Sequence, residues 1–414
     1  MNTLRYTQTL LGWLVTVTLS AQIPSLLKPS IHTLQTVAGQ RWMDLPVINQ
    51  NSDEVINIDF DDFTHESRRY VYSIEHYTAD WKPSTSLFES DYIDGFASGN
   101  LIDEYEPSLN TNTLYTHYHF SIPNEKCRLK ISGNYCITVY DENNDNEPIL
   151  KTYFMVAENA ATIQMNATAN TDIDVNGKHQ QLEVNIHFNN IRINDLKNEI
   201  KTYFMQNYRW DTAIINPTPQ YKRSDGLVWT HNKQLIFDGG NEYHKFEILD
   251  VNHANMGVED IEWNDNEYHT YLWPNEPRMN YVYDEDSNGA YIIRNSDNND
   301  SNILAEYQIV HFYLKTSRVE GGIYINGNWT YGSQSSQYQM QWNEEAACYE
   351  TKIKLKQGYY NYQYIWKAPT GEIKYVPTEG NFYQTENCYT SLVYYRAPGS
   401  RYDRLIGLAS LHTR

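Results

Sequence analysis

Leu182-Glu183-Val184-Asn185-Ile186-His187-Phe188 places an apolar side chain at every second position and a polar one between. Period two is the spacing of a strand with one face buried and one in water, because successive side chains leave a strand on opposite sides. The pattern recurs in both directions along the chain. Ile56, Ile58 and Phe60 alternate with Asn57 and Asp59, and Leu114, Thr116, Tyr118, Phe120 and Ile122 alternate with Tyr115, His117 and His119. Tyr307-Gln308-Ile309-Val310-His311-Phe312-Tyr313-Leu314 is apolar on both faces at one end. Helical spacing is scarce: only 194–205 could hold a helix, and Tyr203 and Phe204 there fit a strand equally well. Short alternating runs broken by Gly, Asn, Asp and Pro predict an all-β chain of tandem β-sandwiches.

A chain of 414 residues is too long for one ordinary core. Polar Asn/Asp-rich stretches mark the expected seams. Asp141 to Pro148 reads as a hairpin tip, since apolar Leu150 to Val156 follows at once, whereas the weakly patterned 158–178 and the run Asn295 to Asn302 read as linkers. Three units follow: an N-terminal immunoglobulin-like sandwich over 22–157, a middle sandwich over 158–303 and a C-terminal early-set sandwich over 304–414. Residues 1–21 read as a signal peptide. Arg5 precedes the short apolar run Leu10 to Leu19, and Ala21-Gln22 offers the cleavage point. No Cys precedes Cys127, so no lipid anchor is expected, and no later stretch is apolar for long enough to span a bilayer as a helix. The mature chain is expected in the periplasm or peripheral to an outer membrane.

The formal charge of −20 repels phosphate backbones and anionic lipid, which argues against nucleic acid or an anionic membrane surface as partner. Tyr (36) outnumbers Phe (12) threefold. That suits half-buried sheet faces and recognition surfaces, because tyrosine joins an apolar ring to a polar tip.

The residues that carry chemistry are sparse. No HExxH, GxSxG, Walker or GxGxxG pattern is present, and carboxylate pairs are too common to single one out, so no catalytic residue and no cofactor is expected. His65-Glu66 lacks a second His at Arg69. His117 and His119 lie on one face of their strand and could share a metal, but without a third ligand nearby a solvated face is the better explanation. Asp284-Glu285-Asp286-Ser287-Asn288-Gly289 matches the first half of a calcium loop through Asp284, Asp286 and Asn288. The closing position holds Asn295 instead of Glu, and the same residues serve a hairpin turn, which is the expectation here. Cys127, Cys136, Cys348 and Cys388 allow three pairings. Proximity in the chain favours Cys127–Cys136 and Cys348–Cys388.

Two stretches share one phrase. Leu129-Lys130-Ile131-Ser132-Gly133-Asn134-Tyr135 and Leu355-Lys356-Gln357-Gly358-Tyr359-Tyr360 each carry Gly-x-Tyr into an alternating strand. Both resemble the tyrosine corner of immunoglobulin-like domains, with Tyr135 and Tyr360 as corner residues whose hydroxyls bond backbone upstream. Ile323 to Trp329, with Tyr349 to Leu355 and Tyr362 to Trp366, is similar to the glycogen-binding-like early-set sandwiches of starch-active enzymes. An exported carbohydrate-binding protein, holding glucans on that Tyr/Trp face, therefore stands as the alternative reading.

A wider resemblance runs in order from about Trp42 to Leu408. It is carried by Ala79-Asp80-Trp81-Lys82-Pro83-Ser84, Tyr92-Ile93-Asp94-Gly95-Phe96, Tyr115-Thr116-His117-Tyr118 with Ile122-Pro123-Asn124, and Ser132-Gly133-Asn134-Tyr135. Gly239-Gly240-Asn241-Glu242-Tyr243, Pro274-Asn275-Glu276-Pro277-Arg278, Gly358 to Tyr364, and Leu392 to Arg396 with Tyr402 to Leu405 complete it. Together these resemble the plug protein family of the type IX secretion system. The resemblance implies a non-enzymatic periplasmic subunit that occludes the mouth of the outer-membrane secretion barrel, its protein partner, when no cargo is engaged. It supplies no site residues. For partner contact the sequence offers Tyr394, Tyr395, Arg396, Arg401, Tyr402 and Arg404, three arginines to one aspartate in an acidic chain, of the types enriched at interfaces. The competing expectation is that these arginines pair locally and tie down the terminus.

Overall fold

The computed structural model describes residues 23–223, 225–297, 300–332 and 334–413. The expected signal peptide and the Ala21-Gln22 junction lie outside them. Among the described residues the α-helices are single turns, and none is long and apolar enough to cross a membrane. The chain is all-β.

Three cores organise the strands. In the first sandwich, the sheet Ile31–Ala38, Ile56–Asp62, Thr116–Ile122 and Glu104–Pro107 faces the hairpin Gly133–Asp141 and Glu147–Ala157 with Tyr70–Tyr77 beside it. Ile56, Ile58 and Phe60 are fully buried between the layers, as their alternation requires. The polar run 141–148 turns the hairpin. In the second sandwich, His179–Phe188 buries Leu182, Val184, Ile186 and Phe188 against Ile200–Gln206, Cys388–Tyr395 and Arg404–His412. One ten-stranded sheet serves both sandwiches, because Glu147–Ala157 meets Arg404–His412 in parallel at Ala157 and Leu405.

The third sandwich crosses the expected boundary at 303/304. His244–Ile248 and Tyr291–Ile293 pair with Gly358–Lys367, and Glu267–Leu272 pairs with Tyr307–Leu314. Meanwhile Cys388–Tyr395 returns to pair with Ile200–Gln206. The third sandwich is thus an insertion in the second, between Ile236–Asp238 and Cys388–Tyr395. A polar loop within one sandwich has the composition of a linker between two, so 295–302 looks like a boundary and is none. The favoured disulfides are also corrected: all four cysteines are free and buried. Cys127 sits in the first core, whereas Cys136 faces away from it, since its neighbours Tyr135 and Ile137 point inward. Cys348 belongs to the third sandwich and Cys388 to the second.

The Tyr135 hydroxyl donates to the Ile131 carbonyl at 2.7 Å, and that of Tyr360 to the Lys356 carbonyl at 2.5 Å. Each ring is buried and each bond spans four residues back, in sandwiches one and three.

Candidate functional site

The strongest concentration of buried charge lies where the first sandwich meets the third. Antiparallel pairing sets Asp61 opposite His117 and Asp59 opposite His119. His117 Nδ1 lies 2.7 Å from Asp61 Oδ1, and His119 Nδ1 lies 2.8 Å from Asp59 Oδ1. From the third sandwich Lys356 Nζ donates to Asp61 Oδ2 and to the Asn302 carbonyl, each at 2.7 Å, and sits 4.2 Å above the Tyr115 ring. The Tyr307 hydroxyl donates to the same Asp61 oxygen at 2.6 Å. Lys356 and Asp61 are each 1% exposed, so the pair is shielded from solvent. Burial alone would favour a neutral Asp61 carboxyl, but Lys356 and His117 outweigh it and hold that carboxyl below the usual range. Asp59 is buried too, yet bonds from His117 and His119 bring it down to about 2. The His117 pKa is raised, since its two carboxylate partners overcome burial.

His117 is therefore not on a solvated face; it is buried at the joint between two carboxylates. Around it, Glu306 accepts from the Thr113 amide at 2.9 Å, and the Tyr115 hydroxyl donates to the Ala305 carbonyl at 2.8 Å. Nothing local in the sequence announces Lys356, Tyr307 or Glu306, because a lysine at a strand end reads as solvated.

The second joint, between the first and middle sandwiches, takes up the Tyr/Arg segment. Tyr394 is 1% exposed and donates to Asn134 Oδ1 at 2.7 Å, and Tyr395 is buried beside it. Arg396 Nε donates to Asp403 Oδ1 at 2.7 Å, while Asp403 Oδ2 accepts from the Ala79 amide at 2.8 Å. Arg404 grips Glu158 through Nε at 3.0 Å and through Nη2. Arg401 pairs with Asp91 at 2.9 Å, and the half-buried Tyr402 sets its ring edge-on to His76. These side chains bind the molecule to itself, so Tyr394 and Tyr395 are corrected as surface contacts. Gly133 is required here: its φ is +131°, and a Cβ would fall 2.5 Å from His76 Nε2 and 2.9 Å from the Asp403 carbonyl.

Both aspartates of the calcium-loop candidate are likewise internally satisfied. Lys245 Nζ donates to Asp284 Oδ1 at 2.6 Å, and Asp286 Oδ1 accepts from the Asn288 amide at 2.7 Å while its other oxygen takes the Tyr243 amide. Burial pushes the Asp286 carboxyl up to about 7, where a bound dication would need it ionised. The run is a capped turn. Among the described residues no group of three or more His, Cys, Asp or Glu side chains could hold a metal ion. In the supposed sugar face, Trp329, Tyr362 and Tyr364 lie inside the third core, with at most 4% exposure. Beneath them Glu379, also buried, is held at about 2 by His244 and Arg278.

A cavity of about 210 Å³ opens where all three sandwiches converge, walled by Trp42, Trp81, Trp210 and Tyr331. Arg209 borders it, fixed by Asp211 at 2.7 and 3.2 Å.

Residues 31–158 match the family profile described as the Type 9 secretion system plug protein 1st domain. No curated protein matches the chain. The crystal structure of a hypothetical protein from Parabacteroides merdae ATCC 43184 is similar over nearly its full length. It is 36% identical, with a TM-score of 0.91, over 95% of this chain and 99% of that one. Dimeric latent PorU from Porphyromonas gingivalis aligns at 9% identity with a TM-score of 0.14, over 93% of this chain and 34% of that one, a level at which no fold is shared. Residues 31–158 thus carry a first domain of the type IX secretion plug kind, in line with the family that the sequence as a whole resembles.

Proposed function

We propose that the chain is a non-enzymatic periplasmic subunit of the type IX secretion system that sits against the periplasmic mouth of the outer-membrane secretion barrel and occludes it when no cargo is engaged. The observation that carries the reading is the plug-family first domain, locked to two further sandwiches by buried contacts. A pore wide enough for folded cargo leaks solutes unless something fills it. An occluder needs a stiff body and a matching surface, and no reacting groups. The buried titratable groups fit that need, since Asp61, Lys356, Glu379 and Asp403 each hold one part of the chain to another.

The test is affinity purification of the tagged chain from solubilised outer membranes, followed by identification of the co-purifying chains. A large β-barrel recovered in stoichiometric amount supports the proposal. Recovery of the tagged chain alone, under conditions that keep the barrel intact, overturns it.

A further inference from the structure

The segment between Glu267–Leu272 and Tyr291–Ile293 holds a cluster of apolar side chains outward. Three of its polar side chains, Asn275, Arg278 and Tyr281, are tied to the body of the sandwich. Asn275 Nδ2 donates to the Tyr362 and Tyr364 hydroxyls at 2.6 and 2.7 Å, Arg278 Nη1 to the Glu242 carbonyl at 2.7 Å, and the Tyr281 hydroxyl to Glu242 Oε1 at 2.6 Å. Its apolar side chains face out: Met279 is 80% exposed, Val282 74%, Trp273 58% and Tyr283 55%. With Met256 from the neighbouring turn, Trp273, Val282 and Tyr283 border an open groove of about 520 Å³. Isolated exposed apolar residues are ordinary, but a cluster fixed in place by buried hydrogen bonds marks a binding surface. Folding alone gives no reason to hold four apolar side chains of one loop in solvent.

The surroundings of the groove are acidic. Glu285 rises from the loop itself beside Glu276 and Asp284, which pair with Lys315 and Lys245, and the flanking strand Val258–Asn264 exposes Glu259, Asp260 and Glu262. The nearby cations are already engaged, Lys245 with Asp284 and Arg278 with Glu379. The groove therefore suits an apolar segment flanked by lysine or arginine.

Resting on the plug reading, we infer that this groove is the docking surface for the secretion barrel, and that its occupant is an apolar segment of the barrel's periplasmic rim with basic flanks. The contact is anchored by Trp273, Val282 and Tyr283, which line the groove, and steered by the acidic surroundings.

The experiment compares three tagged chains in the outer-membrane purification: the wild type, the triple variant Trp273→Ser/Val282→Ser/Tyr283→Ser, and the control Phe88→Ser/Phe96→Ser. The control removes two aromatics of the first sandwich that are 73% and 70% exposed. The triple variant is expected to keep the wild-type melting temperature and to recover at least tenfold less barrel, a deficit that grows with salt. The control is expected to behave as wild type. Should the triple variant fold poorly, Val282→Glu alone is expected to give the same loss from an exposed position in the groove. Wild-type recovery of barrel by a folded triple or Val282→Glu variant overturns the docking surface and leaves the plug reading standing. Equal loss in the control overturns it as well, because the contact is then unspecific adhesion. Absence of barrel with the wild type itself overturns both.

Discussion

Two histidines of the first sandwich stand at its two joints, one with its pKa lowered and one with it raised. His76, facing the middle sandwich, lies 3.2 Å from the Ser132 carbonyl and 2.9 Å from the Ser84 hydroxyl, and burial pushes its pKa down to about 4. His117, facing the third, is as well buried but sits between Asp59 and Asp61, and its pKa is raised. Burial is common to both, so the partner decides. The joint with the middle sandwich is a shared sheet and an apolar cluster that includes Tyr203, Leu392, Tyr394 and Leu405, with ion pairs at its edge. The joint with the third is a buried ionic knot in which Asp61 meets both Lys356 and His117.

Breaking that knot has the largest expected effect. Lys356→Met leaves Asp61 buried without its ammonium and is expected to cost roughly 3–5 kcal/mol, because a stranded buried charge loses its partner while keeping its desolvation penalty. Arg404→Met, at the other joint, is expected to cost far less. Denaturant unfolding followed by tryptophan fluorescence checks both; similar losses at the two joints would end the contrast.

Acidity separates the joints next. His76 is neutral in the folded chain, so its contribution is complete above pH 6.5 and is lost as pH falls toward 4. His117 has a raised pKa, so its contribution is complete below pH 6.5 and is lost as pH rises through that raised value. A tenfold change in an imidazole's proton affinity on folding is worth about 1.4 kcal/mol. Two imidazole resonances followed by NMR are expected to titrate on opposite sides of 6.5. His76→Gln is expected to flatten the acid limb of stability against pH, and His117→Gln the neutral-to-alkaline limb.

The strands were legible because period two needs nothing but a buried face, and Leu182 to Phe188 or Ile56 to Phe60 show it without long-range information. The joints were not. Asp61 and Lys356 are 295 positions apart and look like any solvated charges until pairing register brings them together. The inserted third sandwich was hidden for a related reason: nothing local in Cys388–Tyr395 says that it pairs with Ile200–Gln206 and skips the strands between. The Tyr/Arg segment stood out correctly by composition, but composition does not tell an internal joint from an external one.

The corner tyrosines give a smaller and more symmetrical comparison. Tyr135→Phe and Tyr360→Phe each remove one hydroxyl-to-carbonyl bond and are each expected to cost about 0.5–1.5 kcal/mol. The Tyr360 variant is expected to be the more damaging, because its acceptor is the carbonyl of Lys356 and holds the backbone that carries that ammonium into the knot. Equal losses would show that corner and knot are independent. The smallest effect is expected for Arg404→Ala, whose pair with Glu158 is partly in water and worth ~0–1 kcal/mol.

The most direct measurement of the central claim is the permeability of the outer membrane in cells that keep the secretion barrel but lack this chain. Uptake of a large dye normally excluded by the outer membrane is expected to rise, to return to baseline when the chain is restored, and to stay at baseline when the barrel is removed as well. Unchanged uptake in cells that retain the barrel and lack the chain would contradict the account.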